Sequence, residues 1–485
     1  MSIRADILII GGGITGCAIA RELSRFAGKT VLIEAREDVA RGASGANSGI
    51  IHAGYDPVPG SLMAKYNVKG CAMYPELAEK LHFPFKKIGS YVLAFSEAEM
   101  KTVQALYDRG IENGVPDMEI ISGDEARKGD PNLSEEVVGA LYAKTAGIVS
   151  PYEAAIAFAE NAADNGVEFK LAEKVESITK TENGFKVVTD KNEYEAACVI
   201  NAAGRSAGEI SALAGAEKID VVERKGEYTL YDRNLGGYVS KVMFQCPNED
   251  GKGILVSPTA EGNLLLGPNS IPLEDDLKGN TATTAAGQAQ IFAQGRKTCP
   301  NLPFGGAITG FAGIRAVSGK DFIIGPSEKV EGFIQVAGIC SPGLTSAPAI
   351  AEDVAMMALK AAGLEAEEKE NWIDEREGIP AVREMSWEER EALCKKDPAY
   401  GRIVCRCETV TEGQIRKALR SKVLVPTVDG VKRRCRAGMG RCQGSFCTPR
   451  VMEIISEETG IPFDEVRKAG AGTEIAQGKL KGVQA

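Results

Sequence analysis

The sequence predicts an α/β protein with a Rossmann domain, an inserted mixed-sheet domain and a small four-cysteine domain at the C-terminus. Three observations predict this fold class. A strand, a glycine turn and a helix follow one another at the N-terminus, two later strands end in small residues, and five of the twelve cysteines fall within 405–447. The length of 485 residues suggests about three domains.

The N-terminal elements predict a pocket for the ADP half of a dinucleotide. Residues 6–10 form a candidate strand, a G-x-G-x-x-G turn follows at 11–16, and residues 17–26 have helical periodicity. The first glycine permits the tight turn, the second lets pyrophosphate approach the backbone, and the third lets the helix lie close to the strand. The helix N-terminus then faces the phosphates.

A second predicted strand, residues 30–33, ends at Glu34. A carboxylate about 20 residues beyond the glycines accepts hydrogen bonds from the ribose hydroxyls and disfavours a 2′-phosphate. Together these elements predict a nucleotide cofactor with an unphosphorylated ribose.

Later segments favour FAD over a nicotinamide cofactor. Residues 41–54 form a long loop of glycine and small residues, which lets backbone approach a flat ring closely. Strands predicted at 198–200 and 333–338 also run into small residues. The helix predicted at 347–362 would direct the positive end of its dipole towards the reduced flavin.

Residues 1 to about 365 resemble the glutathione-reductase-like, D-amino-acid-oxidase-type family of flavoproteins. Within that family, residues 46–54 (ANSGIIHAG) resemble a stretch of glycerol-3-phosphate oxidases and dehydrogenases and of L-2-hydroxyglutarate dehydrogenases. The resemblance implies bound FAD. The residues that it implies as FAD contacts are Gly11, Gly13, Ile14, Thr15, Gly16, Glu34, Ala35, Arg41, Ser44, Asn47, Ser48, Gly49, Ile51, Val175, Ala203, Gly204, Gly313, Arg315, Gly338, Gly343, Leu344 and Thr345.

The chain has only two histidines, and one of them, His52, lies in the loop assigned to the flavin. Oxidation of an alcohol requires a base near neutral pKa that takes the hydroxyl proton while hydride leaves the carbon. His52 is therefore the candidate catalytic base; the alternative is a histidine that only holds the flavin. For His82, in Leu-His-Phe-Pro, we expect no catalytic role.

The run 310–315 (GFAGIR) resembles the family's strand that brings an arginine over the flavin to hold a substrate anion. Arg315 suits a carboxylate or a phosphate through paired hydrogen bonds. Lys252, Ser48 and Ser341 align by eye with further substrate contacts of the glycerol-3-phosphate oxidases. Arg315 with Lys252 favours a phosphate, while one arginine with hydroxyl groups also satisfies a carboxylate.

Four C-terminal cysteines form two close pairs, Cys405 with Cys407 and Cys442 with Cys447. Four thiolates hold either a tetrahedral zinc or a 2Fe-2S cluster, and the one-residue gap between Cys405 and Cys407 favours iron. Cys435 is an extra thiol that we rank below Cys442 as a ligand.

Residues 400–465 resemble the bacterioferritin-associated-ferredoxin-like 2Fe-2S domain, most specifically at 436–444 (RAGMGRCQG). That domain is attached to the catalytic subunits of anaerobic-type glycerol-3-phosphate dehydrogenases. Residues 400–450 carry twelve basic and three acidic residues in a chain of net charge −10. This local excess predicts tuning of the cluster or docking of a partner, with a solvated basic face as the alternative.

The domain boundaries follow from these assignments. We predict an FAD-binding domain at 1–75, 141–214 and 326–365, a substrate domain at 76–140 and 215–325, a connector at 366–399, a 2Fe-2S domain at 400–470 and a tail at 471–485.

The resemblance implies an FAD-dependent dehydrogenase that oxidises sn-glycerol 3-phosphate to dihydroxyacetone phosphate and passes electrons through a 2Fe-2S cluster to a partner protein. One alternative is an L-2-hydroxyglutarate dehydrogenase, or an enzyme of a related 2-hydroxy acid or amino acid. An alternative of another class is an electron-transfer subunit of a multi-subunit flavoprotein complex.

The global charge and the apolar pattern predict where the protein acts. A net charge of −10 argues against nucleic acid and against direct attraction to anionic membranes. We find no signal-peptide pattern and no apolar run near the roughly 20 residues that span a bilayer. The sequence therefore predicts a cytoplasmic protein that contacts a membrane only through a partner.

Overall fold

The structure is a computed structural model that describes residues 2–247, 253–303, 305–476 and 478. Lys252, one of the predicted substrate contacts, lies outside the described residues. None of the helices in these ranges has the length and apolar character needed to cross a bilayer.

The described residues form strands and helices in a mixed order along the chain. The strands are β1 (Ile3–Ile10), β2 (Thr30–Ile33), β3 (Ile50–Ile51), β4 (Phe85–Lys87), β5 (Ser90–Ala94), β6 (Met118–Ser122), β7 (Gly139–Ala143), β8 (Gly147–Val149), β9 (Glu168–Lys170), β10 (Val175–Thr181), β11 (Gly184–Thr189), β12 (Glu193–Asn201), β13 (Val222–Tyr231), β14 (Val242–Gln245), β15 (Val256–Pro258), β16 (Leu264–Leu266), β17 (Ile271–Pro272), β18 (Ala307–Val317), β19 (Ile323–Pro326), β20 (Phe333–Ala337), β21 (Ile403–Cys405) and β22 (Val410–Thr411). The helices are α1 (Ile14–Leu23), α2 (Leu62–Leu81), α3 (Glu97–Glu112), α4 (Gly123–Gly129), α5 (Pro151–Asp164), α6 (Ala207–Leu213), α7 (Ala285–Thr298), α8 (Gly343–Ala362), α9 (Trp387–Lys396), α10 (Glu412–Leu419), α11 (Val428–Cys435) and α12 (Thr448–Thr459).

The first sheet has β1 at its centre, parallel to both β2 and β12, in the order β10-β11-β12-β1-β2-β9, with β20 parallel to β12. The last residues of β1 and all of β2 are buried, as in parallel strands covered on both faces. Ile7 and Ile9 pack with α1, α2, α5 and α8, while Leu8 and Ile10 pack with β10, β11 and α6.

The second sheet is mixed and has nine strands in the order β17-β13-β16-β15-β14-β5-β7-β6, with β18 paired to β13. Only β14 and β5 run parallel among its described pairs. The long antiparallel pair of β13 and β18 runs from Val222 opposite Val317 to Tyr231 opposite Ala307. This pair brings the predicted Arg315 strand against the first sheet's loops.

Several elements begin or end away from their predicted positions. α1 begins at Ile14 and α8 at Gly343, each earlier than predicted, because the apolar periodicity used for prediction starts only after the glycine-rich first turn. β7 crosses the predicted boundary after residue 140, and β19, which pairs with β20 in the first sheet, begins before the predicted boundary at 326. β2 occupies the four residues that the sequence predicts.

The C-terminal domain has its own small core. The β21-β22 hairpin and helices α10, α11 and α12 enclose Val431, Val451, Ile454 and Ile455, which are all buried. The connector that precedes this domain contacts α1. There Arg21 of the helix forms an ion pair with Asp374 of the connector at 2.5 Å. The C-terminal domain is therefore tied to the first sheet through both the connector and its own surface.

The strongest of these ties is a buried ion pair. Asp38, after β2, accepts hydrogen bonds from Arg433 at 2.7 Å and from Arg434 at 2.9 and 3.0 Å, and the carboxylate is fully buried. Burial favours the neutral acid, but the charges of Arg434 and Arg433 outweigh it, so the pKa of Asp38 lies below its ordinary value.

We predict that Asp38→Asn lowers the free energy of unfolding by about 3–5 kcal/mol at neutral pH, because it removes the counter-charge that two buried guanidinium groups share and leaves Glu160 as the remaining carboxylate near Arg434. Since the folded-state pKa of Asp38 is lowered, its stabilisation is present above the unfolded pKa of about 3.9 and is lost as pH falls through the folded pKa. Denaturant unfolding of both proteins at several pH values measures this.

The matched control is Glu193→Gln, which breaks an exposed pair with Lys186 and should change stability by less than about 1 kcal/mol. Equal stability of Asp38→Asn and the unaltered protein at neutral pH would show that the ion pair does not hold the domains together.

Candidate functional site

The glycine turn after β1 is set by close backbone contacts. Gly11 has a φ of +113°, and a Cβ at this position would lie 2.4 Å from the carbonyl oxygen of Ala202 at the end of β12. A Cβ at Gly16 would lie 2.0 Å from the carbonyl oxygen of Gly11. The two glycines therefore let β1, β12 and α1 meet without a side chain between them.

Glu34 ends β2 beside this turn. Its carboxylate accepts hydrogen bonds from the backbone N–H of Gly12 at 2.7 Å and of Arg36 at 2.8 Å. Burial raises the pKa of Glu34, while these two N–H groups oppose the rise. Each carboxylate oxygen keeps a lone pair for a further donor, so the group suits a ribose hydroxyl.

The loop 41–54 is clamped from two sides. A Cβ at Gly313 in β18 would lie 1.8 Å from the carbonyl oxygen of Ala46, so only glycine allows this contact. On the other side, Gly49 has a φ of +65°, and its Cβ would lie 2.4 Å from the carbonyl oxygen of Val149. The loop thus presents bare backbone between the second sheet and the start of α5.

His52 is fixed by three neighbouring elements. Its backbone N–H donates to the hydroxyl of Thr345 in α8 at 3.0 Å, and its carbonyl accepts from the amide of Asn67 in α2 at 2.6 Å. Its Nε2 lies 3.4 Å from the hydroxyl oxygen of Ser341, and its ring lies 5.7 Å from that of Phe244. The imidazole is therefore held at the cavity wall with one edge towards Ser341.

Arg315 reaches the same cavity from β18. Its Nη2 donates to the carbonyl of Asn269 at 2.7 Å. Its Nε is buried and has no hydrogen-bond partner among the described residues. A buried guanidinium N–H without a partner costs free energy unless a ligand accepts from it, so Arg315 suits an anion.

One cavity of 2630 Å³ joins these groups. The predicted residues that line it are Gly11, Gly13, Ile14, Thr15, Glu34, Ala35, Arg41, Ser44, Asn47, Ser48, His52, Val175, Ala203, Gly204, Gly313, Arg315, Ser341, Gly343 and Leu344. Bare glycine turns, a ribose-side carboxylate, a helix N-terminus at Gly343 and an unpaired arginine N–H together fit an FAD and a small anionic substrate.

Other predicted contacts lie behind the cavity wall and support it. These are Gly16, Gly49, Ile51, Gly338 and Thr345. Ile51 is fully buried in the first core, and the Thr345 hydroxyl binds the backbone of His52. A sequence motif contains both residues that face a ligand and residues that only allow the turn. Sequence alone does not distinguish these two kinds of residue.

The cavity also contains residues that sequence reasoning missed. Tyr228, Phe244, Gln245 and Asn269 line its substrate side. Burial raises the pKa of Tyr228 to about 12, against the opposing charge of Arg315. The strands β13 and β14 carry no motif, and only their pairing with β18 and β5 brings these side chains to the cavity.

The four C-terminal cysteines pair in space as Cys405 with Cys447 and Cys407 with Cys442. In sequence the neighbours are Cys405 with Cys407 and Cys442 with Cys447. Cys405 and Cys447 are 1% and 3% exposed, and the Cys447 thiol donates to the Cys405 sulfur, which lowers the pKa of Cys405 to about 6. The sulfurs of Cys407 and Cys442 lie 3.6 Å apart, and Cys407 is exposed. We call these the inner pair and the outer pair.

Two pairs of neighbouring sulfurs fit a binuclear cluster, in which each iron takes two cysteines. Among the described residues no group of three or more His, Cys, Asp or Glu side chains is arranged around one metal ion. Backbone N–H groups of Gly438 and Glu408 point at the Cys405 sulfur, and that of Phe446 points at Cys442. Such donors stabilise an anionic cluster.

Cys435 shares the buried core of the domain with Cys405 and Cys447, but its thiol has a different partner. Its thiol donates to the carbonyl of Val431 within α11 at 3.3 Å, and burial raises its pKa to about 12. This is the environment of a structural thiol, so the geometry favours Cys442 over Cys435 as a ligand.

Most of the basic residues at 400–450 form ion pairs with acidic residues of the same chain. Of the twelve basic residues, only Arg406 and Lys432 make no ion pair with the described residues. Arg433 and Arg434 pair with Asp38, and Arg441 pairs with Asp232 at 2.7 Å. Arg433, Arg434 and Arg441 therefore bind other domains of the chain, whereas Arg402, Arg420 and Lys422 remain more than half exposed. Cluster tuning and partner docking stay predictions.

Known protein families match both parts of the chain. The FAD dependent oxidoreductase family matches residues 6–357, and the BFD-like 2Fe-2S binding domain matches residues 403–457. These matches confirm the predicted fold class and the predicted FAD and 2Fe-2S cofactors, and they give no support to zinc.

The chain is similar to several characterised proteins. It is 47% identical over 477 residues to the glycerol 3-phosphate dehydrogenase of Caloramator mitchellensis, which covers 98% of this chain and 99% of that one. The structure of the L-alpha-glycerophosphate oxidase of Mycoplasma pneumoniae with FAD bound matches with a TM-score of 0.72 and 31% identity, over 77% of this chain and 98% of that one. The L-2-hydroxyglutarate dehydrogenase of Caenorhabditis elegans is 30% identical over 55% of this chain and 64% of its own.

We predict that Cys442→Ser loses the cluster while Cys435→Ser keeps it. The Cys442 sulfur lies 3.6 Å from that of Cys407, whereas the Cys435 thiol donates to a carbonyl of its own helix. Elemental analysis of anaerobically purified protein should give about two irons per chain for Cys435→Ser and far fewer for Cys442→Ser. The opposite result would move the fourth ligand to Cys435.

Proposed function

The chain belongs to the family of FAD-dependent oxidoreductases and carries a C-terminal 2Fe-2S domain, and on that premise we propose that it oxidises sn-glycerol 3-phosphate to dihydroxyacetone phosphate. Electrons then pass from FAD through the 2Fe-2S cluster to a partner protein. A cytoplasmic location, with any membrane contact made through that partner, belongs to the same proposal.

One observation carries the proposal: a histidine and an arginine from different sheets line the same cavity as the flavin loop. His52 directly follows β3, and Arg315 lies in β18. An imidazole takes a hydroxyl proton near neutral pH, and a guanidinium holds a phosphate through paired hydrogen bonds. This combination suits a small alcohol that carries an anionic group.

Each residue has a defined task in the reaction. Bound FAD supplies the acceptor for the hydride that leaves C2 of the substrate. His52 accepts the C2 hydroxyl proton at Nε2, so that the carbon–oxygen double bond of the product forms. Arg315 binds the phosphate through its unpaired Nε–H and so fixes the distance from the anion to the reacting carbon. Thr345 and Asn67 hold the backbone of His52 in place.

Similarity over nearly the full length to a glycerol 3-phosphate dehydrogenase supports this substrate. The second candidate is L-2-hydroxyglutarate, or a related 2-hydroxy acid or amino acid. It is favoured by the similarity to L-2-hydroxyglutarate dehydrogenases and by Arg315, since a single arginine is sufficient for a carboxylate. An electron-transfer subunit without its own substrate is the third candidate.

We predict that glycerol 3-phosphate bleaches the visible absorbance of the flavin when it is mixed with the oxidised protein under nitrogen. L-2-hydroxyglutarate and small amino acids serve as the comparison substrates in the same experiment. Rapid bleaching by L-2-hydroxyglutarate alone would transfer the proposal to that acid. The absence of bleaching by every alcohol and amino acid tested would favour the electron-transfer subunit.

We predict that His52→Asn slows substrate-dependent flavin bleaching by about 10²–10⁴-fold, the usual contribution of a general base, without loss of bound FAD. Stopped-flow absorbance measures the rate, and the flavin spectrum measures occupancy. Unchanged bleaching by His52→Asn would exclude His52 as the base while leaving the substrate assignment intact.

The chain offers a matched control in its other histidine. His82 is exposed and ends α2 with a φ of 53°, a left-handed conformation that asparagine tolerates well. His82→Asn should therefore bleach at the rate of the unaltered protein.

A further inference from the structure

The cavity that contains the dinucleotide motif extends to the C-terminal domain. Two segments of that domain line it: residues 424–427, which precede α11, and residues of the loop 467–474. They lie beyond the part of the chain that matches the FAD-dependent oxidoreductase family, which ends at 357. The nucleotide cavity is therefore built by two domains.

The first segment is anchored in the core of the FAD-binding sheet. Val423 is 1% exposed and belongs to the same buried cluster as Ile9 and Leu32. Its carbonyl accepts a hydrogen bond from Arg434 at 3.0 Å, and Arg434 also binds Asp38. The segment is thus held against the sheet by the burial of Val423 and by the hydrogen bond from Arg434.

Leu424, the next residue, has a different environment. Its side chain is 42% exposed although it lines the cavity. A large apolar side chain on a cavity wall loses contact with water when a ligand covers it, and this burial favours binding. The adenosine part of a dinucleotide supplies a flat apolar ring of the required kind.

The second segment lies beside the residues that follow Glu34. Its tip is at Gly470, where a Cβ would lie 3.5 Å from a carboxylate oxygen of Glu37. The loop is closed by an Arg467–Glu474 ion pair at 2.7 Å, and the carbonyl of Arg467 accepts from the N–H of Val428 at 3.0 Å. The loop is therefore joined to the start of α11 and lies beside the segment that follows Glu34.

We propose that the iron–sulfur domain is part of the FAD site: segments 424–427 and 467–474 close the adenosine end of the cavity, and Leu424 supplies apolar surface to the bound ADP half. The inference rests on FAD binding and not on the identity of the substrate. It follows that the retention of FAD depends on the C-terminal domain, in addition to the motif residues of β1, α1 and β2.

Leu424→Ala tests the proposal in the full-length protein. Loss of part of the buried apolar area should raise the dissociation constant of FAD roughly three- to tenfold, measured by titration of FAD into apoprotein with flavin fluorescence as the readout. The control is Ile475→Ala, an isomeric side chain of the same domain that is 41% exposed and lines a different groove. Equal affinities of both variants and the unaltered protein would overturn the proposal.

Hydrogen exchange of the unaltered chain gives a second test that needs no folded variant. FAD added to the apoprotein should slow amide exchange in 424–427 and 467–474 as well as at the N-terminal glycine turn. Residues 443–449, which line the other groove of the same domain, provide the internal control and should not change. Protection confined to residues before 357 would overturn the proposal, and neither readout depends on turnover of any substrate.

Discussion

The arrangement of the domains depends on one buried carboxylate. Asp38 stands four positions after Glu34, so the loop that carries the acid predicted to bind the ribose also carries the anchor for Arg433 and Arg434. Moving three charged groups out of water is costly, and only their mutual pairing and hydrogen bonds offset it. In the docked orientation of the iron–sulfur domain both arginines reach this acid.

Docking in this orientation places α5 between the two redox sites. Just before α5, at the end of β8, Val149 donates its N–H to the carbonyl of Gly49 in the flavin loop at 2.8 Å. In the first turn of α5, the hydroxyl of Tyr152 donates to the sulfur of Met439 at 3.4 Å and accepts from Arg436 at 2.9 Å. The flavin loop and the cysteine-rich loop thus contact the same short segment, residues 149–152.

The sequence predicted the local features of this protein well, because each has a local cause. The four apolar residues of β2 and the acid that follows it are specified by a buried parallel strand and its exit. Contacts between segments that are distant in sequence have no local cause, and the sequence did not predict them. Nothing in Leu424 or Gly470 indicates a nucleotide cavity, and the arginines near 433 form a basic patch in sequence although their partner Asp38 lies almost 400 positions earlier. Tyr228 and Phe244 reach the cavity only through strand pairing.

The two cysteine pairs differ in burial, so one side of the cluster site faces the core of the domain and the other faces solvent. Cys405 and Cys447 are enclosed by the core of the domain, whereas Cys407 faces solvent and Cys442 is partly exposed beside it. Dioxygen and chelators arrive through solvent and meet the outer sulfurs first. Air damage and metal extraction should therefore begin at the outer iron, and a half-dismantled cluster would stay attached to the protein by its inner cysteines.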